Sequence, residues 1–286
     1  MIRQGVGVIG LGLLGSAVSA RLLGSGWSVW GYDVQQDPAR TLVSLGGTAL
    51  NSASEVFAAC EITLLILPDS DVVATVLEAA PPLSPGAVII DLTTGDPDRM
   101  AEFGAQLAAH GIGYVDATVG GSSEQVRDGD AIVMAGGEKA VLDRQSAVLG
   151  SFAREVFHMG PWGNGARMKL AMNLVLGLNR AALAEGLAFA AACGLSMDDA
   201  LRVLRASPAW SRVMDMKGRR MIEHDFVPAA RLSQHRKDVD LILAAAGRSG
   251  ARTPLSRVHR DLLAEVERAG FGAEDNSAII RAFEGT

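Results

Sequence analysis

Val6-Gly7-Val8-Ile9-Gly10-Leu11-Gly12-Leu13-Leu14-Gly15 decides how this chain folds. An apolar, β-branched run stops at Gly10, and Ser16-Ala17-Val18-Ser19-Ala20-Arg21-Leu22-Leu23 continues beyond Gly15 as a helical segment. Each glycine has a distinct task at this spacing. Gly10 permits a tight turn out of the strand, Gly12 lets the backbone approach a pyrophosphate, and Gly15 lets helix and strand pack closely. The N–H groups of the helix start then face the phosphates. A chain with 33 glycines produces such triplets by accident, so context has to decide. Here a strand precedes, a helix follows, and Asp33 stands 18 residues after Gly15, at the end of the strand-like run Val29-Trp30-Gly31-Tyr32. The pattern predicts a dinucleotide site built from Gly10, Leu11, Gly12, Leu13, Leu14 and Gly15, with Asp33 accepting from the ribose hydroxyls beside adenine. A carboxylate there repels a 2′-phosphate, and Val34-Gln35-Gln36-Asp37-Pro38 supplies no basic residue before Arg40. NAD is therefore favoured over NADP.

With 286 residues the chain can build two ordinary domains. Charge divides unevenly: residues 1 to 160 carry 8 Lys and Arg against 18 Asp and Glu, a net −10, and the remainder carries +4. The overall −6 argues against a nucleic-acid partner, while the basic second half is open to two readings, attraction of a small anionic substrate or an ordinary Arg-decorated helical surface. Cys60 and Cys193 sit in apolar helical surroundings without metal or redox spacing, and are expected to be buried, reduced thiols. The first strand leaves no room for a secretory leader, so a cytoplasmic protein is expected. The five histidines, His110, His158, His224, His235 and His259, lack metal-ligand spacing; surface and helix-end positions explain them, and no metal is expected.

Strand-like runs at 5–9, 28–33, 62–67, 87–91, 113–116, 131–135 and 154–158 alternate with helical stretches such as 70–80 and 97–109. This is the pattern of a parallel sheet with crossover helices. After Gly160-Pro161-Trp162-Gly163-Asn164-Gly165 no convincing strand returns. A long, almost wholly apolar helix is expected at about 166–193, broken by Arg167, Lys169, Arg180 and Glu185. Those charges make a membrane span costly, and a buried helix bridging two domains fits better. Further helices are expected at 196–206, 211–222, 234–249, 254–269 and 275–283. The fold class is thus α/β: a Rossmann-type, doubly wound nucleotide-binding domain over 1–160, then an all-α domain over 161–286 for substrate and oligomerisation.

Six segments in this order resemble the β-hydroxyacid dehydrogenases, the family of 3-hydroxyisobutyrate dehydrogenase and relatives of 6-phosphogluconate dehydrogenase. They are the glycine turn; Leu67-Pro68-Asp69-Ser70-Asp71-Val72; Asp91-Leu92-Thr93-Thr94-Gly95-Asp96-Pro97; Asp116-Ala117-Thr118-Val119-Gly120-Gly121-Ser122; Gly160 to Asn173; and Lys237-Asp238. The resemblance spans essentially the whole chain. It implies reversible oxidation of a β-hydroxy acid to its semialdehyde or ketone without a metal, in a homodimer or homotetramer. It adds Leu67, Pro68, Val72, Thr94 and Lys237 to the cofactor site, and Gly120, Gly121 and Ser122 to the substrate loop. Gly120 stands where the family usually has serine, Thr118 where it has proline, and Met172 where it often has asparagine or histidine. These departures fall on the substrate side.

Lys169 and Asn173 are four residues apart and so lie on one helix face. As hydride leaves the substrate carbon its hydroxyl must lose a proton, and in reduction the alkoxide must gain one. Lys169 is the candidate for that transfer, with Asn173 holding the lysine or the reacting oxygen. An exposed lysine would stay protonated; burial, the positive nicotinamide and Lys237 would favour the neutral amine. Ser122 and the backbone of Gly120-Gly121-Ser122-Ser123 are placed to cradle the substrate carboxylate. Asp275-Asn276-Ser277-Ala278 resembles a family signature, though helix capping alone explains it. Two other functions are open: an imine reductase, which usually lacks a lysine at the position of Lys169, and a dinucleotide-binding reader or scaffold without turnover.

Overall fold

The computed structural model describes residues 5–284. Two compact units follow from its contacts, one ending at Lys169 and the other beginning at Leu170. In the first, β1 (Gly5–Ile9) leads through the glycine turn into α1 (Leu13–Gly24), β2 (Ser28–Tyr32), α2 (Gln36–Ser44), the two-residue β3 (Thr48–Ala49) and α3 (Ala53–Ala59). Next come β4 (Ile62–Leu65), α4 (Ser70–Glu78), β5 (Val88–Asp91), α5 (Pro97–Ala108) and β6 (Gly113–Gly120). Then follow α6 (Ser123–Asp128), β7 (Ala131–Gly137), α7 (Lys139–Arg144), α8 (Ser146–Gly150) and β8 (Ala153–His158). The strands form one sheet in the order β3-β2-β1-β4-β5-β6-β7-β8. Strand order therefore reverses between β1 and β4, the switch point at which doubly wound sheets bind ligands beyond their carboxyl ends.

The expected strands are all present, with β3 in addition, but the sheet is not wholly parallel. β7 runs antiparallel to β6, Gly120 facing Ile132 and Val115 facing Gly137. Residues 121–130 are too few for a crossover, which needs a dozen or more, so the chain turns back on itself. The central strands are buried on both faces, as their apolar runs require.

The second unit is helical: α9 (Asn164–Ala192, begun in the first unit), α10 (Met197–Ala206), α11 (Arg212–Glu223), α12 (Leu232–Ser249) and α13 (Pro254–Val266). A π turn at Glu267–Phe271 and a 3-10 segment at Asn276–Ala282 close the chain. By length and composition α9 passes for a membrane span, yet Leu183, Ala184 and Leu187 are in the core of the helical unit. Asp275 does more than cap the last segment. It accepts from Ser277 N–H at 3.0 Å, from Lys217 Nζ at 2.7 and 3.0 Å, and from the N–H groups of Ala229 and Ala230. Burial pushes the Asp275 carboxyl up, but Lys217 and Ser277 outweigh it and hold the group at about 2. Two sequence expectations fail here. Cys193 is exposed, because α9 has ended one residue earlier, and only Cys60 is buried. His235 and His259 are not surface residues; both are buried, with ring centroids 5.2 Å apart.

Asp116, wholly buried in β6, accepts from Gly163 N–H at 2.8 Å and Ala166 N–H at 2.9 Å, so it caps the first turn of α9. Asp91, buried at the end of β5, accepts from Thr93 N–H and from the Tyr114 hydroxyl, each at 2.9 Å. Burial raises both carboxyls to about 6 against these hydrogen bonds, and Asp91 adds repulsion at Asp116. Between the unfolded value of about 3.9 and the folded one near 6, the folded chain binds more protons, so stability falls as pH rises through that window. Asp91→Asn, which keeps the volume, is expected to flatten the fall in urea midpoint between about pH 4 and pH 6. An unchanged slope would contradict the assignment.

Candidate active site

The glycine turn has the geometry its spacing predicted. Gly10 has φ +94, and a Cβ there would collide with the Ile66 carbonyl. A Cβ on Gly15 would strike the Gly10 carbonyl, so α1 can approach β1 only without one. At Gly12, by contrast, no atom outside its neighbours comes within 4 Å of the Cβ position, and no side chain caps α1. Open backbone at an uncapped helix start is a cradle of the right kind for a pyrophosphate. Leu11 is buried beneath the turn, Leu13 is exposed and Leu14 is half-buried.

Asp33 ties this turn to β2. Its Oδ2 accepts from Leu11 N–H at 2.7 Å and its Oδ1 from Gln35 N–H at 2.8 Å. Each oxygen keeps a second lone pair for a hydroxyl donor. Arg40, the nearest cation in sequence, makes an exposed surface pair with Asp37 at 3.2 Å.

The loops after β4 and β5 are braced together beside the switch point. Leu67 N–H donates to Thr93 Oγ1 at 3.1 Å, and Asp96 N–H donates to Ser70 Oγ at 2.9 Å. Asp69 caps α4 by accepting from Asp71 and Val72 N–H, which sets Val72 and the exposed Pro68 at the mouth of the loop. Thr94 is half-buried in the companion loop. These residues continue from the carboxyl ends of strands flanking β1 on one side, as Asp33 does on the other.

Lys169 lies in the second turn of α9, half-buried, and its Nζ donates to the Val119 carbonyl at 2.7 Å. The amine is thus drawn to the end of β6, where Gly120 and Gly121 begin the loop. Gly121 has φ +156, and its Cβ position faces Ala131. Ser122 is the N-cap of α6: its Oγ accepts from Gln125 N–H at 3.2 Å, and its own N–H donates to Gln125 Oε1 at 3.0 Å. The Ser122 N–H is therefore spent within the capping box, and the hydroxyl proton is what this residue has left to offer an anion.

Thr118 is not a substrate-side departure. It is buried, and its hydroxyl reaches the Gly165 carbonyl at 3.0 Å and that of Met134 at 3.3 Å. A second tie from β6 to the start of α9 results. Sequence reasoning missed both Asp116 and Thr118 as anchors of the lysine-bearing helix, because their partners lie 47 to 50 residues away.

In the helical unit Asn173 is buried on α9, and its Nδ2 donates to Asp238 Oδ2 on α12 at 3.1 Å. Lys237, next to Asp238, is half-buried.

Residues 5–160 match the family described as the NAD binding domain of 6-phosphogluconate dehydrogenase. Residues 163–283 match the NAD-binding of NADP-dependent 3-hydroxyisobutyrate dehydrogenase. The chain is 29% identical over 284 residues to 2-(hydroxymethyl)glutarate dehydrogenase of Eubacterium barkeri, covering 98% of this chain and 94% of that protein. It is 29% identical over 281 residues to glyoxylate/succinic semialdehyde reductase 1 of Arabidopsis thaliana, covering 97% of each. Among solved structures, Mycobacterium tuberculosis 3-hydroxyisobutyrate dehydrogenase with L-serine superposes with a TM-score of 0.90 at 26% identity, over 99% of this chain and 100% of that one. By these matches over both units, the chain belongs to the β-hydroxyacid dehydrogenase family, oxidoreductases that act on a CH–OH group with a nicotinamide dinucleotide.

Proposed function

We propose that this protein interconverts a small β-hydroxy acid and its semialdehyde or ketone, as 3-hydroxyisobutyrate dehydrogenase does, with Lys169 as general acid and base. The observation that carries the reading is the Lys169 Nζ held 2.7 Å from the Val119 carbonyl. That bond delivers an amine to the first residues of the Gly120-Gly121-Ser122 loop, where a substrate carboxylate would be received. When bound, the nicotinamide supplies the hydride acceptor or donor. The chain's own part is to move the proton: Lys169 takes it from the substrate hydroxyl during oxidation and returns it to the alkoxide during reduction. Asn173, one turn further along α9, holds the reacting oxygen or the lysine by hydrogen bonding. In this reading Lys237 belongs to the cofactor site, as the family resemblance implies. The lysine at position 169 speaks against an imine reductase, and a scaffold that only binds the dinucleotide would have no use for it.

NAD is the preferred cofactor on the strength of Asp33. Its charge stands at the ribose end of the cradle, where a carboxylate accepts from ribose hydroxyls and repels a 2′-phosphate. The second unit adds a face for self-association. Val175 and Phe189, 56% and 70% exposed, lie on the outer side of α9 with Ala171 and Ala182, an apolar surface suited to a second copy in a homodimer or homotetramer.

Lys169→Ala is expected to lower turnover by about two to four orders of magnitude with NADH affinity nearly unchanged, in assays against a panel of 3-hydroxy acids and semialdehydes. A near-normal rate would remove the lysine from the mechanism. Asp33→Asn keeps an acceptor but removes the charge, and should shift the ratio of kcat/KM for NAD over NADP toward NADP by about tenfold or more. An unshifted ratio would refute the ribose assignment. Joint replacement of Val175 and Phe189 by glutamate should reduce the particle mass measured by light scattering to that of the single chain; an unaltered assembly places the interface elsewhere.

A further inference from the structure

Behind Asn173 lies a polar interior that the proton transfer itself does not use. Asn173 and Asp238 are 6% and 9% exposed, and the bond between them runs from Nδ2 to Oδ2. A carboxamide turned by half a revolution exchanges a donor for an acceptor while filling the same space. A carboxylate only accepts, so beside Asp238 the carboxamide has one permitted orientation, Nδ2 inward and Oδ1 away. Arg180, 4% exposed, follows Asn173 by seven residues and shares its face of α9. Burial pulls its guanidinium down to about 10, against the attraction of Asp275 and Asp238, and its Nε and Nη1 have no hydrogen-bond partner among the described residues. Between the two, Gly177 is the reason α12 and α13 come so close. A Cβ there would meet His235 Nε2 at 2.6 Å and His259 Cε1 at 2.7 Å.

We propose that Asp238 is a positioning residue that fixes which end of the Asn173 carboxamide is offered to the reacting centre. The proposal rests on Asn173 acting beside Lys169. Asp238 does not touch the substrate in this role; it acts by denying Asn173 the wrong rotamer. The catalytic loss on removing it should therefore vanish when Asn173 is already absent.

The chain has five asparagines, so selective 15N labelling of the protein without cofactor resolves five side-chain amide pairs, and Asn173→Ala identifies the relevant one. Asp238→Ser should move the Asn173 pair upfield and expose it to solvent exchange. In the same variant kcat should fall by about 10- to 100-fold while NADH affinity from fluorescence titration stays within about twofold. In the Asn173→Ala background the same replacement should cost less than about twofold more. Asp238→Asn, which preserves the packing, guards against a loss caused by misfolding and should lower kcat in the same direction. An unaltered Asn173 amide pair, or a full multiplicative loss in the Asn173→Ala background, overturns the proposal. Absence of any turnover in the wild-type chain sinks the dehydrogenase reading instead, since the amide signal still decides whether Asp238 orients Asn173.

Discussion

The carboxylate of Asp116 joins the sheet to the helix on which the proposed chemistry depends. Lysine has a long, flexible stem, and a hydrogen bond from its amine to one carbonyl cannot by itself fix where the nitrogen sits. Here the base of α9 is fixed first, because two of its N–H groups end on a buried acid in β6 and the Gly165 carbonyl receives the Thr118 hydroxyl. The glycines around this joint are required by it: a side chain at Gly136 or Gly165 would intrude on the carboxylate itself. Lys169 thus inherits its place from a strand 50 residues upstream, the same strand that ends in the loop proposed to receive the substrate.

Such a joint has an energetic cost. Burying a carboxylate disfavours its charged form, and the raised pKa of Asp116 records how incompletely the helix N–H groups offset that burial. The opposite balance holds in the helical unit, where Lys217 and a ring of N–H and hydroxyl donors keep Asp275 ionised. One acid tolerates burial and the other is stabilised in it; the difference is a full counter-charge 2.7 Å away.

The elements legible in the sequence were those whose requirements are local. Gly10, Gly12 and Gly15 are demanded by steric clashes within a few residues, and the buried strands announce themselves as apolar runs. The long helix was placed to within two residues at each end by its composition. A short helix such as α3 escaped, being only seven residues long, too short for a periodicity to show. The reversal of β7 hinges on a connection length that composition does not reveal. Asp116 and Thr118 read as members of a substrate motif, and their tie to α9 becomes visible only once residues about 50 positions apart are brought together. His235 and His259 were misplaced for the same reason: the absence of metal spacing left no signal that they share Gly177 as a common floor.

The two-residue β3 completes the sheet on one side in an unusual way. An edge strand normally presents a ladder of unsatisfied N–H and C=O groups that any extended peptide can extend, and long bare edges invite fibrous self-assembly. With only Trp30 facing Thr48 and Gly31 facing Ala49, β3 gives an intruding strand almost nothing to grip. At the opposite margin β8 carries Arg154 and Glu155 on exposed positions, and an incoming chain would have to desolvate both. Neither margin of the sheet therefore offers an incoming strand a long, bare, uncharged ladder.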